Sequence, residues 1–204
     1  LAGGKGANLG EMVAAKLPVP PGFVLLRTCY RDAMHHGGVD AELAALHSEA
    51  LANAADTERL DELCRWMQAL VRRAGIDDRL RRQVLAAYDR LGPEAVVAVR
   101  SSATGEDGAD ASFAGIFDTY LGVSGIERVL DAVRNCWGSL FTARALAYHQ
   151  HHPVSDPPVE HAAAIARNAT AVDGHVDFDY DTLRTRFQQT AFLNKGLRIT
   201  LSDL

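Results

Sequence analysis

Apolar residues recur at helical spacing through the middle of the chain. In residues 56–74, Leu60, Leu63, Met67 and Leu70 form one stripe, with Arg and Glu elsewhere, and such a stripe predicts an amphipathic helix. Residues 77–91 repeat the pattern with Leu80, Val84, Leu85 and Tyr88. Asp77 or Asp78 stands at the start, where a carboxylate favours a helix N-terminus. Residues 40–54 are an Ala-rich version, and residues 28–36 predict a short helix capped by the Thr28 hydroxyl. Residues 7–17, with Leu9, Met12 and Val13, and residues 126–136 and 140–149 read as further helices. Two segments break the period. Residues 95–99 are a short β-branched, apolar run and residues 116–123 a second one, so both predict strands. The fold class is α/β (α+β), with several helices on a small, partly antiparallel sheet that contains residues 96–100 and 116–123. Trp66, Trp137 and Phe141 are expected as core aromatics.

The pattern changes toward the C-terminus. Residues 149–158 are rich in His, Pro, Ser and Asp, a linker composition, and an Ala-rich stretch follows. In residues 178–204, Leu183, Phe187 and Ala191 share a helix face, Asn194-Lys195-Gly196 caps it, and residues 197–201 alternate as in a strand. The expected organisation is therefore a first domain over 1–152, a linker over 153–177 and a helix-strand segment over 178–204. The segment after Pro153 is expected to pack on the first domain only through a small interface with a mobile linker.

Composition narrows the function classes. The chain has 204 residues, 48% of them hydrophobic and 23% charged, which suits a soluble globular domain with or without a small appendage. A net charge of −5 argues against nucleic acid as the main partner. Cys29, Cys64 and Cys136 form no CxxC pair, as expected for a reducing, cytoplasmic setting. No apolar run reaches membrane-spanning length, and the N-terminus lacks the pattern of a signal peptide.

The chemistry concentrates in two segments. The 95–99 strand delivers Arg100 to its end, where a guanidinium can fork two phosphate oxygens. Ser101 and Ser102 follow, then a small-residue loop that ends in Ser112-Phe113-Ala114-Gly115 before the next strand. Small side chains allow backbone amides to close on an anion, so Arg100, the two hydroxyls and the loop suit a nucleotide triphosphate. The second segment is Gly3-Gly4-Lys5-Gly6, just before the 7–17 helix, where an ammonium can meet phosphates. It is not a P-loop, because the spacing differs and no Ser or Thr follows Lys5. Plainer readings stand beside these: a surface arginine at a strand end, turn serines, an ordinary glycine loop. Glu106 and Asp107 read as solvated loop acids. His35, His36, His149, His151 and His152 read as surface histidines without ligand spacing.

Taken in order, Gly3–Met12 with its Gly-Gly-Lys-Gly start, Val19-Pro20-Pro21-Gly22-Phe23, residues 100–115, Asp118-Thr119-Tyr120 and Cys136-Trp137-Gly138-Ser139-Leu140-Phe141-Thr142 resemble one family. The similarity is to the N-terminal, ATP-grasp-type ATP-binding domain of the phosphoenolpyruvate synthase and pyruvate, phosphate dikinase superfamily. The Cys136–Thr142 wording also resembles the rifampicin phosphotransferase branch. The resemblance covers about residues 1–152. It implies phosphoryl transfer from ATP to a histidine on a separate domain, then to pyruvate or a rifamycin, with release of AMP and phosphate. It also implies Mg2+ as cofactor, phosphate-binding roles for Lys5 and Arg100, and ATP contacts at Gly115 and Thr119. Ser101 and Ser102 join these as candidate ligands. Ile116 stands where the family often has Gln.

The resemblance places the family's magnesium carboxylates in a second half of the domain, for which no counterpart is expected in this chain. A truncated, partial lobe is the expectation, with pyruvate or rifamycin as partner only in a full-length parent. Residues 178–203 resemble part of the ATPase region of the DNA gyrase B subunit. A non-catalytic nucleotide-binding module, a truncated pseudogene product and a gyrase-like ATPase fragment remain the alternatives.

Overall fold

The computed structural model describes residues 3–17, 19–92, 94–103, 118–151 and 161–167. All of them belong to a compact unit spanning residues 1–171. The expected helix-strand segment over 178–204 lies outside the described residues, as does Gly115.

The helices form where the apolar stripes lie. Helix α1 covers Gly3–Ala14, α2 Arg27–His36, α3 Asp40–Ala52, α4 Thr57–Ala74, α5 Asp78–Asp89, α6 Ile126–Gly138 and α7 Ala143–His151. On α4, Leu60, Leu63, Cys64, Met67, Leu70 and Val71 are buried. The Asp56 carboxylate accepts the amide of Arg59 at 3.1 Å and Asp77 that of Leu80 at 2.7 Å. Each supplies an oxygen for an amide that has no partner within its own helix. Helix α6 buries Val129, Leu130, Val133, Cys136 and Trp137. The Trp137 ring meets Tyr30 edge-on, centroids 5.6 Å apart. A fully buried large apolar side chain of this kind contributes about 1.5–3 kcal/mol.

Strands β1 (Gly22–Leu25), β2 (Val96–Ala103), β3 (Thr119–Ser124) and β4 (His161–Arg167) form one sheet in the order β1-β4-β2-β3. All three pairings are antiparallel. Strand β2 alternates: Val97 and Val99 are buried in the helix-packed core, while Arg100 is exposed on the opposite face. The β2–β3 register slips between Val97 and Val99, and β3 carries the extra residue at Gly122, whose φ of 68° suits a bulge. Gly22 answers a different need. A Cβ there would stand 2.5 Å from the Ile165 carbonyl oxygen, so only glycine lets β1 lie this close to β4.

Several expectations are corrected. Residues 161–167, inside the stretch read as a linker, form β4, which pairs with both β1 and β2. Its Ala162, Ala163, Ala164 and Ile165 are buried; alanine weakens a strand signal, but small side chains fit between two neighbouring strands and a helix layer. Ser101 and Ser102 lie within β2 rather than in a turn after it, because β4 continues the ladder to Ala103. Gly3-Gly4-Lys5-Gly6 forms the first turns of α1 rather than a loop before it. Thr28 does not cap α2: the helix starts at Arg27, with Leu26 at the cap position and no side-chain cap bond. Trp66 is 48% exposed, since one residue before Met67 is about 100° around the helix from the buried stripe. Trp137 and Phe141 are buried as expected.

Candidate functional site

Two segments separated by 96 residues meet here. The backbone amide of Gly6, in α1, donates to the Ser102 hydroxyl of β2 at 3.2 Å. Helix α1 packs on β2 and β4, on the sheet face that carries Ser102. By strand alternation Arg100 projects from the same face, two residues along, and the register places Thr119 of β3 and Ala164 of β4 on either side of it. Lys5 immediately precedes Gly6. The backbone of the Gly-Gly-Lys-Gly segment, Arg100 and Thr119 therefore gather at one side of the sheet.

The two serines part company. Ser101 points to the helix-packed side, is 1% exposed, and its hydroxyl lies 3.5 Å from the Asp118 carbonyl oxygen. Ser102 is completely buried. Below Arg100, the Cys136 thiol lies 3.8 Å from the carbonyl oxygens of both Val99 and Asp118, so α6 supports the strand ends from underneath. The Tyr120 phenol donates to the Asp118 carboxylate at 3.0 Å. Burial, followed by this bond, pushes its pKa up to about 12. The phenol stays protonated at neutral pH and fixes the turn of chain that leads into Thr119.

The periodicity of residues 96–103 contains the signal for the serine arrangement, since a period of two places Ser101 and Ser102 on opposite faces once the strand extends past Val99. The Asp118–Tyr120 pair is a feature the sequence reading missed. Among the described residues no group of three His, Cys, Asp or Glu side chains could hold a metal ion. His35 and His36 are exposed, each paired with an aspartate: Asp40 at 2.9 Å and Asp77 at 3.4 Å. No helix among the described residues is long and apolar enough to cross a membrane.

Comparison with known proteins identifies the family. The family described as "Pyruvate phosphate dikinase, AMP/ATP-binding domain" matches residues 1–197. A probable phosphoenolpyruvate synthase of Archaeoglobus fulgidus is 43% identical over 152 residues, covering 72% of this chain and 20% of that protein. One of Methanocaldococcus jannaschii is 37% identical over 194 residues, covering 93% of this chain and 16% of the relative. The phosphoenolpyruvate synthase of Aeropyrum pernix is 43% identical over 153 residues, 72% of this chain and 18% of its own length. The chain thus spans about a fifth of the length of these relatives. The family match also runs past residue 152, where the expected resemblance ended, and covers most of residues 178–203, for which no comparison supports the expected gyrase B resemblance. The chain belongs to the pyruvate phosphate dikinase AMP/ATP-binding domain family.

Proposed function

We propose that Lys5, Arg100, Gly115 and Thr119 hold the phosphates of ATP, with α1 as one wall of the site. The observation that carries this is the Gly6–Ser102 hydrogen bond, which brings the lysine segment and the arginine strand together although 96 residues separate them. The residue types fit the ligand. Arg100 is exposed on its strand and offers a planar fork for phosphate oxygens. Thr119, beside it in register, adds a hydroxyl. Ser101 and Ser102, both buried, support the strand from which Arg100 projects.

The relatives' names favour a role as the nucleotide-binding part of a phosphoenolpyruvate synthase, and a cytoplasmic setting is proposed with it. ATP would phosphorylate a histidine carried elsewhere, and pyruvate would accept the phosphoryl group, with AMP and phosphate released. Cations from Lys5 and Arg100 would offset charge on the transferred group. Mg2+ would accompany ATP as a further source of positive charge. Pyruvate is the favoured acceptor over a rifamycin because the similar proteins bear the synthase name.

Ligand-observed NMR titration of this 204-residue chain with ATP tests the assignment. Binding is expected at about 1 mM or tighter, which corresponds to about −4 kcal/mol. Arg100→Ala should weaken it by roughly tenfold or more, the worth of a charged hydrogen bond. Arg65→Ala, on the outer face of α4, should leave it unchanged. No binding, or binding indifferent to Arg100, would overturn the proposal.

A further inference from the structure

The Ser102 hydroxyl has a structural duty that its place beside Arg100 conceals. It is completely buried, it lies one residue from Ser101 yet faces the other side of the sheet, and it accepts the amide of Gly6 at 3.2 Å. Gly6 is the fourth residue of α1 and directly follows Lys5. Glycine has little intrinsic preference for helix, so three glycines among Gly3–Gly6 leave this end of α1 poorly fixed by its own sequence. A tertiary acceptor anchors it instead.

We infer that Ser102 is a positioning residue: by accepting the Gly6 amide it fixes the Lys5 turn of α1 against the strand that carries Arg100, and so sets the spacing between the two phosphate-binding cations. The role rests on the nucleotide reading of Lys5 and Arg100. It assigns Ser102 no contact with ATP, in contrast to its expected place among the ligands. The geometry supports this division of labour: the strand pleat turns Arg100 and Ser102 to one face, where Arg100 is exposed and Ser102 is covered. A side chain sealed from solvent and engaged with a backbone amide is built to hold a helix.

A double-mutant cycle on this chain tests the inference, with ATP affinity and Gly6 amide exchange as readouts. Ser102→Ala should speed Gly6 amide exchange and weaken ATP binding about fivefold, the worth of roughly one neutral hydrogen bond. In the Lys5→Met background the same change should alter affinity less than about twofold, because contacting pairs are not additive. Val97→Ala, a cavity on the helix-packed side of the same strand, controls for general loosening and should lower Tm while leaving affinity unchanged. Ser102→Cys keeps the volume but accepts hydrogen bonds weakly, and should behave as Ser102→Ala does.

Equal losses with and without Lys5, unaltered affinity in Ser102→Ala, or an equal loss in Val97→Ala would each overturn the inference. Failure of the nucleotide reading looks different: wild-type chain would not bind ATP, or Arg100→Ala would bind it normally, and the positioning role would fall with it.

Discussion

The phenolic hydroxyl of Tyr88 donates to the carbonyl oxygen of Ala95 at 2.5 Å. The Tyr88 phenolic oxygen in turn accepts the amide of Gly125 at 2.9 Å. One side chain near the end of α5 therefore ties together the approach to β2 and the start of α6, the helix that underlies the candidate site. Tyr88→Phe keeps the ring but leaves a carbonyl and an amide without this partner. Stability should fall by about 2 kcal/mol, within the cost of unsatisfied buried groups. Urea denaturation followed by far-UV circular dichroism measures it. An unchanged midpoint would show that water satisfies both groups.

Gly22 is set by contact. Its added Cβ would lie 2.5 Å from the Ile165 oxygen and 2.9 Å from the Ala166 Cα, both backbone atoms of β4. Neither can move without parting the strands. Gly22→Ala should cost about 1–3 kcal/mol, as overpacking does, and should expose β1 amides to exchange before those of β2. A midpoint within error of wild type would contradict the close approach.

His47 makes stability depend on pH. Burial holds its imidazole pKa below the ordinary value, and its Nε2 is buried with no hydrogen-bond partner among the described residues. The unfolded chain then binds the proton more readily, near its ordinary pKa of about 6.5. Stability from this residue is full above that value and falls as pH drops toward the lower folded pKa, where it levels. Between pH 7.5 and 5, Tm of the wild type should fall more steeply than Tm of His47→Gln. Asp40 acts in a different window: the hydrogen bond from His35 holds its carboxyl below the usual range, so its contribution is lost only as pH falls through more acidic values. Parallel wild-type and His47→Gln curves would remove His47 from the account.

The two tryptophans should report separately. Trp66 is 48% exposed and Trp137 is fully buried. Iodide should quench a red-shifted component that Trp66→Phe removes, leaving a blue-shifted, unquenched emission from Trp137. Quenching that survives Trp66→Phe would place Trp137 nearer solvent than its packing against Tyr30 allows.

Local order determined the helices. The stripe through Leu60, Leu63, Met67 and Leu70 and the aspartates at 56 and 77 are short-range signals, and both the buried faces and the capped starts follow from them. The order of the motifs likewise made the family legible. Strand β4 was hidden because its evidence is not local. HAAAIAR has neither β-branched enrichment nor clear alternation, and it becomes a strand because β1 and β2 offer ladders on both sides.

The same holds for the candidate site. Sequence supplied Lys5 and Arg100 as residue types suited to phosphate, and the family resemblance added Thr119. Tertiary structure decided that the lysine turn lies against the arginine strand, since a hydrogen bond across 96 residues leaves no trace in either segment's pattern. It also split Ser101 from Ser102. Which face a strand residue takes depends on how far the ladder runs, and the partner that extends this ladder is β4, some sixty residues farther along the chain.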